Sequence, residues 1–110
     1  MDCVFCRIVK GEIPCTKVYE DDEFVAFRDI IPQAPVHIVL VPKRHIPDMS
    51  GLDVLPEVAV GLSRAIYLTA TRVGLRDYRL VSNNGTGAGQ TVLHFHFHIL
   101  GGWEQPPNIT

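Results

Sequence analysis

Residues 92 to 102 read Val92-Leu93-His94-Phe95-His96-Phe97-His98-Ile99-Leu100-Gly101-Gly102, and the alternation in this stretch decides the fold. Side chains alternate across a β-strand, so a strand is predicted over 92–100, with His94, His96 and His98 on one face and Phe95, Phe97 and Ile99 on the other. The imidazoles then repeat every ~6.5 to 7 Å along the strand. The aromatic face needs a cover. Upstream, Leu55, Val58, Ala59, Leu62, Ala65, Ile66, Ala70 and Val73 recur at helical spacing, which predicts one long amphipathic helix over 53–73. Ser50 or Asp53 is placed to cap its start, Pro56 is tolerated in the first turn, and Gly74 stands where a left-handed stop is expected. Gly61 inside it costs roughly 1 kcal/mol against Ala, which either weakens the helix reading or signals close packing.

The remaining elements are short. Strands are predicted over 17–20 and 24–28 around the acidic turn Asp21-Asp22, over 36–41 and over 78–83, with a brief helix over 3–9. Strands grouped around one long helix read as an α+β fold with an antiparallel five-stranded sheet. The chain has 110 residues, enough for one domain. With 46% hydrophobic and 20% charged residues it has the composition of an ordinary globular protein, which excludes disorder and disulfide scaffolds. A net charge of -2 with interspersed signs predicts no nucleic-acid or anionic-membrane partner. No apolar run is long enough for a span and Met1-Asp2-Cys3 opens no secretory signal, so a cytoplasmic protein is expected. There, Cys3, Cys6 and Cys15 are expected as thiols or metal ligands rather than disulfides.

The loop Asn84-Gly85-Thr86-Gly87-Ala88-Gly89-Gln90 leads directly into the histidine strand. Its Gly85, Gly87 and Gly89 permit positive φ, so N–H groups can turn onto an anion, with the Gln90 amide and Thr91 hydroxyl nearby. An anion held there meets imidazoles, and neutral imidazole attacks phosphorus without a separate base. His96, flanked on both sides, is the candidate nucleophile, with His98 and His37 orienting it or binding phosphate oxygens. Three histidines on one strand could instead form a metal site, although neighbours on one strand diverge too little to wrap one ion. His37 could also be an ordinary buried histidine among Val39 and Val41. The pair Cys3-x-x-Cys6 has the gap that lets two thiolates share one zinc, and could equally be two buried thiols.

The stretch HFHFHIL at 94–100 resembles the signature of the histidine triad (HIT) family. GEIP at 11–14, EDD at 20–22, AFRDI and PQAP over 26–35, Pro-Lys-x-His at 42–45 and GAGQTVLHFHFHILGGW at 87–103 are similar to its Hint-like branch, the purine nucleoside phosphoramidases. The resemblance implies a protomer that pairs into a homodimer with a continuous sheet. It also implies hydrolysis of purine nucleoside 5'-phosphoramidates, such as AMP-NH2 or AMP-lysine, through a nucleotidylated His96, and binding of AMP, GMP or adenosine. Position by position, His37, His94 and His98 would support His96, and Thr91 would contact phosphate or leaving group. Asn83 and the Gly89 backbone would lie on the phosphate side, and Asp29 would hold the ribose hydroxyls. Phe5, Ile8, Ile13, Phe27 and Ile30 would wall the base, with Val92 in the same nucleotide-binding set. The resemblance further implies a structural zinc held by Cys3, Cys6, His45 and His94. Two other functions fit the same residues: a dinucleoside polyphosphate hydrolase or nucleotidyl transferase, and a nucleotide- or zinc-binding interaction module.

Overall fold

The computed structural model describes residues 3–108. Helix α1 (Val4–Val9) is followed by β1 (Lys17–Glu20), β2 (Phe24–Arg28) and β3 (Val36–Pro42). A 3-10 turn (Met49–Val54) then leads into α2 (Pro56–Arg72), and β4 (Tyr78–Val81), a second 3-10 turn (Thr86–Ala88) and β5 (Phe97–Gly101) complete the chain. The five strands form one sheet in the order β1-β2-β3-β5-β4, every neighbouring pair antiparallel. This is the expected α+β architecture.

The sheet separates two apolar layers. On one face Phe24, Ala26, Ile38, Leu40, Phe95 and Ile99 meet Val58, Ala65 and Ile66 of α2. On the other, Val25, Phe27, Val39 and Val41 meet Cys3, Phe5 and Ile8 at α1. Period-two alternation assigns neighbouring residues of β2 and β3 to opposite layers, so these central strands are apolar throughout.

Three element boundaries depart from expectation by two residues or more. The long helix begins at Pro56, not near 53, because residues 49–54 wind as the tighter 3-10 turn. Asp48, rather than Ser50 or Asp53, accepts the Ser50 N–H at its start, and α2 has proline in its first turn without a side-chain cap. Ala59 faces solvent, and Thr69 takes a place in the buried face. Gly61 faces the Phe24 ring, from which a Cβ there would stand 3.4 Å, an ordinary contact distance. The histidine strand also starts late, at Phe97 rather than Val92. Residues 92–94 bend because the Phe95 N–H bonds the Ile46 carbonyl instead of a strand neighbour. Likewise β4 ends at Val81, two residues early.

Candidate active site

On the α1 side of the sheet lies a cavity of about 440 Å³. Phe5, Ile8, Ile13, Phe27, Asp29, Ile30, Asn83, Gly89, Thr91, Val92, His96 and His98 all line it. Thus the residues expected to hold a nucleotide converge from α1, the end of β2, the end of β4, the glycine loop and β5. Val4, Pro14, Cys15, Arg28, Ile31 and Val39 line it as well, outside the nucleotide-binding set that the resemblance implies. The walls divide by chemistry, with α1 and residues 13–14 contributing mainly carbon, and polar groups clustering at His96, His98 and Asp29.

The hydrogen bonds around the imidazoles assign their tautomers. His96 Nδ1 lies 2.8 Å from the His94 carbonyl, and a carbonyl only accepts, so Nδ1 carries the proton and Nε2 the lone pair. Because Nδ1 is committed to backbone, Nε2 is the nitrogen left for the cavity. The Ser82 hydroxyl donates to the His96 carbonyl at 2.8 Å, and the Phe5 ring stands edge-on to the imidazole at 5.0 Å, so backbone and ring are both fixed. His98 stacks at 5.0 Å from His96 on one side and 5.0 Å from His37 on the other.

His37, on β3, is 6% exposed. Its Nδ1 accepts the Gln33 N–H at 2.9 Å, which places its proton on Nε2. That Nε2–H points to His98 Nδ1 at 2.8 Å, with Asp29 Oδ2 a longer 3.4 Å away. His98 must then carry its own proton on Nε2. Burial keeps both rings neutral: it lowers His37 against the opposing pull of Asp29, and with the neighbouring imidazoles it pushes His98 down to about 4. Asp29, His37 and His98 are close enough to suggest a metal triad. The Gln33 N–H argues against one, since a neutral His37 cannot accept at Nδ1 and ligate through Nε2 together.

One expectation needs correction, that of the glycine loop, and His94 meets His96 through its backbone rather than its ring. His94 is fully buried, donates from Nε2 to the Pro42 carbonyl at 2.8 Å and turns Nδ1 toward sulfur, so it serves His96 only through its carbonyl. The glycine loop is less open to an anion than its composition suggests. The N–H groups of Ala88, Gly89 and Gln90 bond Gly85 and Thr86 carbonyls within the loop. Gly85 and Gly89 adopt positive φ, whereas Gly87 does not. The Gln90 side chain is a buried brace, accepting from the Gly85 N–H and donating to the Pro47 and Val92 carbonyls. Thr91 remains exposed at the cavity.

Beneath His96 lies the second cluster. Cys3 Sγ is 3.4 Å from His94 Nδ1, and Cys6 Sγ is 3.3 Å from His45 Nδ1 and 3.6 Å from His94 Nδ1. All four donor atoms lie within 4.8 Å of one another. Sulfur and nitrogen ligands around a tetrahedral zinc ion stand about 3.5 Å apart, given bonds near 2.3 and 2.0 Å. The donor set therefore fits such an ion, and the Pro42 carbonyl supplies the outer partner that holds His94 Nδ1 toward it. Burial first, then the Cys3 sulfur, raise the Cys6 thiol above its ordinary range. A bound cation would reverse that tendency.

A HIT domain profile matches residues 10–105. An uncharacterized HIT-like protein of Helicobacter pylori is 42% identical over 101 residues, covering 90% of this chain and 95% of its own. One from Synechocystis is 46% identical over 103 residues, covering 92% and 90%. Among solved structures, a HIT family hydrolase from Clostridium thermocellum superposes with a TM-score of 0.90 at 40% identity, covering 99% of this chain and 97% of that one. Another from Legionella pneumophila gives 0.82 at 46% identity, covering 96% of each. With a matching profile over most of its length and His96 and His98 of its three-histidine motif lining the cavity, the chain belongs to the histidine triad, or HIT, domain family.

Proposed function

We propose that this protein is a nucleotide hydrolase of the Hint-like type, cleaving the P–N bond of purine nucleoside 5'-phosphoramidates such as AMP-NH2 or AMP-lysine through a covalent nucleotidyl-His96. The observation that carries the reading is the tautomer of His96, whose Nδ1–H is spent on the His94 carbonyl so that Nε2 faces the cavity with its lone pair.

In this mechanism the base lies among Phe5, Ile8, Ile13, Phe27 and Ile30, with Val92 against it, and the ribose hydroxyls donate to Asp29. Asn83 and Gly89 border the phosphate, and His98 offers it the Nε2–H. His96 Nε2 bonds to phosphorus as the P–N bond breaks, and the departing nitrogen takes a proton from solvent water beside Thr91 and leaves as an amine. The positive charge on the nucleotidylated imidazole is stabilised by the Nδ1–H bond to the His94 carbonyl. Water then attacks phosphorus, the nucleoside monophosphate departs, and Nε2 regains its lone pair. Hydrolase names among the structural relatives support this reaction class.

Cys3, Cys6, His45 and His94 are proposed to hold zinc in a structural role, pinning α1 to the sheet. The protomer is proposed to pair into a symmetric homodimer along β4.

Incubation of wild type and His96→Ala with AMP-NH2 and with diadenosine tetraphosphate tests the reaction. Wild type should cleave the phosphoramidate and yield an acid-labile AMP adduct on His96 by mass spectrometry, both lost in the variant. Cleavage of the dinucleotide alone would replace the reading with a polyphosphate hydrolase. Equal AMP binding by both proteins with no turnover would make the protein a binding module.

A further inference from the structure

We propose that the backbone N–H of Gln33 is a positioning group for the reaction: it sets the tautomers of the His37 and His98 pair and so ties the ribose-facing segment 29–33 to the donor that His98 presents to substrate. The proposal rests on the nucleotidyl-transfer reading of the cavity for its kinetic consequence, but not for the tautomers themselves.

A neutral imidazole has one proton and two nitrogens, and a backbone N–H can only donate. Gln33 N–H against His37 Nδ1 at 2.9 Å therefore forces the proton to Nε2, and the 2.8 Å contact to His98 Nδ1 passes the constraint on. His98 is left with Nε2–H, a donor suited to an anionic phosphate. The opposite arrangement would protonate His37 at Nδ1 and His98 at Nδ1, and His98 would then turn a lone pair on the phosphate. One amide thus selects between a donor and an acceptor at the reacting end of the chain.

The groups facing this pair favour the same state. Asp29 Oδ2, at the end of β2, is 3.4 Å from His37 Nε2 and would repel a lone pair there. From β5, His98 is the other group on His37, and it in turn meets His96. The segment is tied to β3 at both ends, by Asp29 N–H on the His37 carbonyl at 3.0 Å and by Gln33 N–H on the His37 ring, and Asp29 Oδ1 accepts the Ile31 N–H within it at 2.8 Å. Asp29, Ile30 and Ile31 line the cavity, so the stretch that would touch a nucleoside also carries the amide that orders a buried ring. Gln33 is exposed, and its backbone, not its side chain, makes the contact.

Gln33→Pro deletes the donor, and Gln33→Ala retains it. With AMP-NH2, Gln33→Pro should lower kcat at least about tenfold, as expected for loss of an oriented hydrogen-bond donor to the phosphate, with KM within about twofold and an altered pH profile. Gln33→Ala should keep the wild-type profile. Nitrogen-15 spectra of the histidines should find His37 and His98 of wild type and Gln33→Ala protonated at Nε2, and a tautomer mixture in Gln33→Pro. If Gln33→Pro does not fold by circular dichroism, an amide-to-ester replacement at position 33 removes the same N–H. Protonation of His37 at Nδ1 in wild type, or wild-type kcat and tautomers once the N–H is gone, would overturn the proposal. A wild type that spares AMP-NH2 but has these tautomers would defeat the reaction reading and leave the tautomer control standing. Tautomers that follow the N–H while kcat does not would overturn the kinetic coupling.

Discussion

His98 and His37 give the residue scale a measurable signature in stability against pH. Both fold with lowered affinity for protons, His98 down to about 4 from an ordinary 6.5, with burial the main cause in each. The unfolded chain binds protons more readily than the folded one below pH 6.5, so stability is fully present above that pH and is lost as pH falls toward 4. The melting temperature should drop across this window, and His98→Asn should flatten the drop. An unchanged slope in the variant would contradict the assignment. Gly101 offers a second case. A Cβ there would stand 2.8 Å from Leu75 Cδ2 and 3.0 Å from the Asp77 carbonyl oxygen, so Gly101→Ala should destabilise by about 1–3 kcal/mol in denaturant melts. Much at this scale was legible, because an alternating His-x-His-x-His leaves little choice about which side chains share a face. What escaped was backbone chemistry: the His94 carbonyl, the Pro42 carbonyl and the Gln33 N–H have no residue-type signal. For the same reason the loop glycines promised an anion nest where the amides are already paired within the turn.

Among the elements, α1 depends most on its surroundings. Six residues form too short a helix to persist alone, since isolated helices below ~12 residues are marginal. It is held by Phe5 and Ile8 against the sheet and by Cys3 and Cys6 facing His45 and His94. Phe5 also touches His94, His96 and Phe27, so the proposed metal and the proposed base wall share one side chain's environment. Chelation, or Cys6→Ser, should therefore lower the melting temperature and weaken AMP binding in calorimetry, with elemental analysis recording one zinc per chain beforehand. Zinc absent from the purified protein and melting indifferent to chelator would discard the metal. Helix α2 is a contrasting case, readable from its apolar period except at its start, where a proline and a 3-10 turn took the place of the expected cap. Its Gly61 packs near Phe24 at a distance an added methyl can still tolerate. Gly61→Ala should raise stability in denaturant melts by up to about 1 kcal/mol through helix propensity, and a loss of stability would show that Phe24 does not admit the methyl.

At the scale of the whole molecule, the sheet ends on β4, which pairs with β5 on one side alone among the described residues. Free strand edges are usually short, charged or covered. Here Leu80 is 43% exposed, and Tyr67 of α2, which borders a hollow with Tyr78 of the strand, is 63% exposed. Beside the same strand, Leu75, Tyr78 and Trp103 border an open depression of about 690 Å³, with the Arg79 guanidinium 5.2 Å over the Trp103 ring. Apolar surface next to an unpaired edge suits a second copy of the same chain, because a two-fold axis presents each edge with its own complement. A chain of 110 residues that also surrounds a cavity on one face has limited core in reserve, which gives such pairing a stabilising role. Sedimentation at micromolar concentration should find wild type as a dimer, with a melting temperature that rises with protein concentration. Leu80→Lys, which sets a charge on that edge, should sediment as a folded monomer. A monomeric wild type would remove the dimer and leave this edge to be protected by its own short length, and a Leu80→Lys variant that still dimerises would move the interface away from β4.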